Sequence, residues 1–216
     1  MAAQAAGDLN IVVVGWRDTT ALVQSVKDTA GNTYLMAVGP TTQVSNGTQA
    51  IYYAKNILTA AAEANTVTVT FSASATTPDL RIAEYSGMDT TNPLDVSVGK
   101  ETNGITSSCG PVSTTNADDL LVAANLVQYK TTAAGSSYTS RVITTPGGDI
   151  LEDQIVTATG SYSATAPLST SDRYIMQLVA FREAKDQAPV VRWRFEKVAS
   201  EESSYMIVSV LPVWKS

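Results

Sequence analysis

The sequence predicts an all-β fold: a two-sheet antiparallel β-sandwich of jelly-roll type that carries a C-terminal β-hairpin. Short extended runs separated by Gly, Asn, Asp and Pro follow one another along the chain, which is typical of all-β proteins. Serine and threonine make up about a quarter of the 216 residues, and the branched Cβ of threonine favours extended backbone. A closed barrel is the structural alternative.

Four runs are the clearest strands. Residues 9–16 are almost continuously apolar, which predicts a strand that is covered on both faces. Residues 65–73 alternate valine or phenylalanine with threonine or serine, so one face is apolar. Residues 118–129 and 173–181 are two further long buried strands.

Shorter runs fill the sequence between these four. The weaker strand candidates are 21–28, 32–39, 49–56, 79–87, 93–100, 138–145, 150–159 and 161–168. A Gly-Asn turn at 28–32 joins two of them, and residues 86–93 have the composition of a longer loop.

The composition changes near residue 183, because the rest of the chain contains no threonine and two of the three tryptophans. We therefore divide the chain into a sandwich module at 1–183, a connector at 184–189 and a hairpin at 190–216. The hairpin has one apolar face at period two, so it must pack on the sandwich, on a second copy or on a partner. The residues predicted to be buried there, or to serve assembly, are Trp193, Phe195, Met206, Val208 and Val210.

Charge and composition exclude several classes of protein. A net charge of −6 and a pI near 4.6 argue against nucleic-acid binding, which needs a basic face. No apolar run approaches the roughly 20 residues of a membrane span. The N-terminal residues 1–8 lack the basic and apolar regions of a complete signal peptide. The single cysteine, Cys109, cannot form an internal disulfide and is interpreted as a small residue in a strand or turn.

Three carboxylates lie close together in the stretch TTPGGDILEDQIV at 144–156. In a strand, Asp149 and Asp153 share a face but lie roughly 13 Å apart, and Glu152 points to the other face. Glycosidases need two carboxyl groups about 5–9 Å apart. The spacing therefore disfavours catalysis and leaves two interpretations, a hydrogen-bonded hairpin tip and a calcium site.

Calcium is considered because carboxylate and carbonyl oxygens in turns are its usual ligands. Asp149 and Asp153 would supply one site, and Asp89 and Asp95 lie in or beside a second loop of suitable composition. The spacing of an EF-hand is absent. No other cofactor is expected.

The inventory of reactive groups is small, because the chain contains no histidine. A Ser-His-Asp triad and a histidine-based zinc site are excluded. A Lys–Asn isopeptide bond involving Lys27 or Lys55 with Asn125 is a further option. The sequence thus favours binding or structure over catalysis.

Sugar binding requires an exposed aromatic side chain beside amide and carboxylate groups. Tyr129 and Tyr138 flank the loop at 130–137, and Tyr162 follows a Gly-Ser turn. These three tyrosines are the predicted ligand-binding residues, although a tyrosine at a strand end is often a core residue with a solvated hydroxyl.

Seven motifs in residues 6–182 resemble a known module. They are AGDLNIVVVGW, VKDTAGNTY, AIYYAKNI, NTVTVTF, AEYSGMDTTNPLD, GGDILEDQIV and QLVAFREA. Together they resemble a Ser/Thr-rich, lectin-like β-sandwich module of large secreted and surface proteins of bacteria. Members carry one more strand before the first motif, so the C-terminal hairpin could fill a vacant sheet position here.

The resemblance implies an extracellular or cell-surface location and no defined active site. We expect a non-catalytic structural or adhesive module whose partner is a glycan or a surface protein. The alternative is a self-assembling filament or surface-layer subunit, a homo-oligomer in which the C-terminal strand completes a neighbouring sheet.

Overall fold

β-Strands make up the regular structure of residues 3–185, 190–198 and 203–209, which the computed structural model describes. For 190–198 and 203–209 the description is of the backbone. The strands are β1 Leu9–Trp16, β2 Val23–Asp28, β3 Leu35–Gln43, β4 Gly47–Ala54, β5 Thr66–Ala75, β6 Asp79–Ser86, β7 Leu94–Ser113, β8 Asp118–Val127, β9 Thr139–Ile143, β10 Ile150–Thr157, β11 Ser161–Arg182, β12 Val190–Val198 and β13 Ser203–Ser209. The all-β prediction is confirmed. The described part of the chain contains no helix that could span a membrane.

The strands form three open antiparallel sheets, not the two that the sequence predicts. Sheet I has the order β12-β6-β1-β4-β3, sheet II the order β7-β11-β8-β10-β9, and sheet III the order β13-β5-β2. Sheet I is the middle layer, because separate core clusters join it to sheet II and to sheet III.

Strand β1 explains why a third sheet is present. It lies between β4 and β6, and all of its residues are buried. Ile11 belongs to a core cluster with Val122 of sheet II, whereas Val12 belongs to a cluster with Val69 of sheet III. Burying each such side chain contributes roughly 1.5–3 kcal/mol. The predicted cover on both faces of residues 9–16 is therefore confirmed.

Strands β7 and β11 are long and bend over the outer face of sheet II. Their ladder shifts register between Pro167 and Asp172. Residues from both halves of β11, among them Ala164 and Leu178, lie in one outer core cluster. The bend separates the two strands that the sequence predicts at 161–168 and 173–181.

The two C-terminal strands join different sheets. Strand β12 pairs with β6 at the edge of sheet I, and β13 pairs with β5 at the edge of sheet III. The sequence predicts that these runs pair with each other as a hairpin, but the described backbone places each beside a strand of the main body. Val210, most of the connector and the side chains of Trp193, Phe195, Met206 and Val208 lie outside the described residues.

Candidate functional site

A groove opens at one end of the interface between sheets I and II. Its cavity volume is about 430 Å³. We call it the Tyr129 groove; it is lined by Ser45, Asn103, Gln128, Tyr129, Ser171, Asp172 and Arg173. The lining thus combines one aromatic ring with amide, hydroxyl, carboxylate and guanidinium groups.

Four chain segments meet at the groove. Ser45 lies in the turn between β3 and β4 of sheet I, and the other lining residues belong to sheet II or follow it directly. Arg173 of β11 pairs with Asn103 of β7, so the two side chains lie on the same face. Gln128 and Tyr129 follow the end of β8. Most of the groove is therefore built on the strands of sheet II or directly beside them.

Asp172 holds the backbone beneath the tyrosine. It is 5% exposed, and its Oδ2 accepts hydrogen bonds from the N–H groups of Gln128 at 2.6 Å and Tyr129 at 2.8 Å. Its Oδ1 is buried and has no hydrogen-bond partner among the described residues. The side chain thus fixes the path of the chain as it leaves β8.

Two further features shape the backbone around the groove. The amide of Asn46 donates hydrogen bonds to the carbonyls of Leu126 at 3.0 Å and Arg173 at 2.9 Å, which joins the β3–β4 turn to sheet II. Gly148 has a φ of +77°, and a Cβ there would lie 2.6 Å from the carbonyl oxygen of Tyr129. Only glycine therefore allows this close approach.

The side chain of Tyr129 is available to a ligand. It is 56% exposed, and Val44 and Ile105, neighbours in sequence of the lining residues, are also exposed. An exposed aromatic ring beside amides matches the amphipathic character of a sugar, which presents C–H groups on one face and hydroxyls around its rim.

The other two predicted tyrosines do not line this groove. Tyr138 and Tyr162 pack on the outer core cluster of sheet II. The hydroxyl of Tyr162 donates to the carbonyl of Ala158 at 2.7 Å, and that of Tyr138 donates to the carbonyl of Ser163 at 3.4 Å. Burial raises the pKa of Tyr138. Both are partly buried residues with a partnered hydroxyl.

Asp149 and Asp153, from the stretch at 144–156, form buried ion pairs with arginines. Asp149 is 1% exposed and accepts hydrogen bonds from the Val127 N–H at 2.7 Å and from the Arg17 guanidinium at 3.3 Å. Asp153 is 2% exposed and accepts bonds from Arg141 and from Tyr85. Asp149 lies at the turn of the β9–β10 hairpin, where its carbonyl accepts the Thr144 N–H, whereas Asp153 lies within β10.

The other two predicted calcium ligands have partners of their own. Asp89 accepts backbone N–H bonds from Thr91 and Asn92, the second of which makes the largest contribution to lowering its pKa. Asp95 binds Arg182 at 2.6 Å. The structure does not bring the four aspartates together, and residues 3–185 contain no group of three or more acidic or cysteine side chains that could hold a metal ion.

Several buried polar residues were not singled out from the sequence. Arg81 is 0% exposed; its guanidinium bonds Asp79 at 2.9 Å and the carbonyls of Asn125 and Ile150 at 2.8 and 2.7 Å. Gln49 and Gln177 extend this network between sheets I and II. These polar side chains occupy inward-facing positions of strands. The local sequence pattern does not distinguish such positions from those of buried apolar residues.

Four buried acids, Asp79 among them, have raised pKa values, with burial as the first cause of each shift. Burial raises the pKa of Glu152 to about 8, that of Asp149 to about 7 and that of Asp119 to about 6. Neither the Tyr129 groove nor a second cavity of about 420 Å³ near Met88 is lined by any of them. In these buried positions the acids affect the stability of the fold.

The remaining reactive groups are occupied or buried. Cys109 lies buried in β7, and burial raises the pKa of its thiol to about 12, which makes it unreactive. The Asn125 side chain bonds Ser107, Thr131 and the N–H of Ile150. Because Lys27 and Lys55 are exposed, the geometry does not support an isopeptide bond.

Asp172, Arg173 and Asn103 are the groove residues that sequence reasoning missed. The signal for the first two was the polar break at 169–173 between two predicted strands. Asn103 gives no comparable signal, since it belongs to a long Ser/Thr-rich run. Comparison with models of protein families, with curated proteins and with solved structures finds no match to this chain.

Proposed function

We propose that this chain is a non-catalytic carbohydrate-binding module of a secreted or cell-surface protein, and that the Tyr129 groove holds the sugar. The observation that carries the proposal is the exposed ring of Tyr129 above a groove lined by amide and hydroxyl groups. The second cavity has no aromatic side chain in its lining, so it offers no platform for a sugar ring.

The architecture supports the same proposal. Sheets I and II pack face to face through the central core cluster. Within the proposal they form a lectin-like sandwich of jelly-roll type, as the resemblance of residues 6–182 implies. A Ser/Thr-rich chain with few charges also suits an extracellular surface.

The chemistry of the groove supports binding without hydrolysis. Its lining contains a single carboxylate, Asp172, which is bound to two backbone N–H groups. Glycoside hydrolysis needs two carboxyl groups on either side of the scissile bond. A sugar in this groove would therefore be bound and released unchanged.

Binding is tested on a panel of soluble polysaccharides by affinity gel electrophoresis, with calorimetry for those that retard the protein. The variant Tyr129→Ala should lose at least about tenfold in affinity, because it removes the aromatic platform. Leu22→Ala is the matched control, since Leu22 has the same 56% exposure but does not line the groove. Equal binding by both variants would show that the groove is not the sugar site.

The second candidate is a self-assembling subunit. The observation that favours it is that β12 and β13 each lie at a sheet edge, a position that a strand of another copy can also occupy. Size-exclusion chromatography with light scattering separates the two functions. A binding module elutes as a monomer at micromolar concentration, whereas an assembling subunit forms oligomers or fibres.

A further inference from the structure

We propose that the Tyr129 groove selects carboxylated sugars and that Arg173 binds the carboxylate. This inference rests on the proposed function, because it names the sugar class for the same groove. It adds a charge requirement that a neutral polysaccharide does not meet.

Arg173 differs from every other arginine of residues 3–185. Arg17, Arg81, Arg141 and Arg182 each form an ion pair with an aspartate. Within that range, Arg173 has an exposed side chain and no ion pair. Since Arg173 lines the groove, its charge is available to a ligand there.

The carboxylates nearest to Arg173 in the sheet are already engaged. Asp172 accepts hydrogen bonds from two backbone N–H groups and is buried. Glu101 lies two residues before Asn103, the cross-strand partner of Arg173, and its Oε2 accepts a hydrogen bond from Gln43 at 2.7 Å. Glu101 still places a negative charge at the rim, so it should weaken the binding of an anion.

A guanidinium binds a carboxylate with two parallel N–H···O bonds, a geometry that a hydroxyl or an ester cannot reproduce. In the groove this bond would fix one end of a sugar ring that rests on Tyr129, while Asn103 and Gln128 offer amides to its hydroxyls. The net charge of −6 disfavours an extended polyanion. The ligand expected is therefore a sugar with one carboxylate at the site, not a densely sulfated chain.

Calorimetry with matched probes tests the inference. The pairs are trigalacturonic acid against its methyl ester, and 3′-sialyllactose against lactose, so that a uronate and a sialate are distinguished. The wild-type protein should bind one acidic probe at least about tenfold more tightly than its neutral partner. Arg173→Gln should abolish that ratio, and Glu101→Gln should increase it.

Equal affinity for acidic and neutral probes, or an unchanged ratio in Arg173→Gln, would overturn the inference. In either case, loss of neutral-sugar binding in Tyr129→Ala would leave the proposed function intact. Failure to bind any of the four probes would also overturn the inference about carboxylated sugars. The polysaccharide panel would then test the proposed function separately. Tighter binding of a sulfated polymer than of trigalacturonic acid would show that a general anion site is present instead.

Discussion

The guanidinium of Arg141 binds the carboxylate of Asp153 through two hydrogen bonds, Nε to Oδ2 at 2.6 Å and Nη2 to Oδ1 at 2.7 Å. The hydroxyl of Tyr85, on sheet I, donates a third bond to the same carboxylate at 2.7 Å. Asp153 therefore joins sheet II to sheet I through a charge that is almost fully buried.

The variant Arg141→Met should be strongly destabilised, because it leaves the buried Asp153 carboxylate with one hydrogen bond in place of three. Breaking a buried pair on one side costs about 3–5 kcal/mol. Urea denaturation measures the free energy of unfolding. The double variant Arg141→Met with Asp153→Asn should recover part of the loss, since the uncompensated charge is then gone. If Arg141→Met unfolds at the wild-type urea concentration, the pair is not a structural link.

The alternation of side chains around Asp153 was predictable from the sequence, whereas its partners were not. Period two places Leu151 and Asp153 on the inner face and Glu152 on the outer face, and the structure agrees: Leu151 lies in the central core and Glu152 bonds Gly135. Arg141 lies 12 residues from Asp153 on the neighbouring strand, but Tyr85 lies 68 residues away on another sheet, and other buried pairs are separated further. Arg17 and Asp149, for example, are separated by 132 residues.

The number of sheets was also predictable in part from the sequence. A continuous apolar run at 9–16 predicts cover on both faces, but a two-sheet sandwich covers only one face of each sheet. The run itself therefore carried the signal for a third layer. The strands whose described side chains cover the second face of β1 are β2 and β5. Their position depends on pairing between distant strands, which no local sequence pattern encodes.

The exposure of the three predicted tyrosines could not be predicted from the local sequence. Tyr129, Tyr138 and Tyr162 all lie near loops or turns, and sequence gives them equal standing. Only the fold decides that the first faces solvent at a groove and that the other two pack on the outer cluster.

Glu152 should make the protein less stable as the pH rises. Burial raises its pKa from 4.5 to about 8, so between these values the folded state keeps a proton that the unfolded chain has lost. The free energy of unfolding therefore falls as pH rises from about 4.5 to about 8, by an amount on the order of 5 kcal/mol. Urea denaturation of Glu152→Gln across this range should show a flatter profile and greater stability at pH 8.

Asp149 and Asp119 shift in the same direction, so part of the slope should remain in Glu152→Gln. Glu101→Gln is the control, because it removes one carboxylate from an exposed position. A wild-type protein whose stability increases steadily from pH 5 to 8 would contradict the assignment.

Asp172 should act on ligand binding by positioning Tyr129. Asp172→Ala removes the acceptor for two backbone N–H groups, and hydrogen bonds to a charged group contribute about 1.5–3 kcal/mol each. We expect lower thermal stability and a loss of at least about tenfold in glycan affinity. Asp172→Asn keeps one carbonyl acceptor and should restore most of the affinity. If Asp172 instead contacted the sugar through its negative charge, the asparagine variant would bind as weakly as the alanine variant. Calorimetry on both variants makes the comparison.

Removal of residues 187–216 should destabilise the protein, because β12 and β13 complete two sheets. Without them, β6 and β5 lose antiparallel ladders along Asp79–Ser86 and much of Thr66–Ala75. An exposed edge also promotes pairing between copies. Losing several kcal/mol lowers the melting temperature by about 10 °C or more in a chain of this size. Differential scanning calorimetry and light scattering on the truncated chain should show earlier unfolding or aggregation.

A synthetic peptide of residues 187–216 then separates the two roles of this segment. If the added peptide restores solubility and the melting temperature, the edges of sheets I and III accept strands from another molecule, and assembly through strand exchange becomes possible. If the peptide has no effect, the strands act only as part of their own chain, because covalent linkage supplies the local concentration that pairing requires. A truncated chain that stays monomeric and melts at the wild-type temperature would show that neither sheet depends on its last strand.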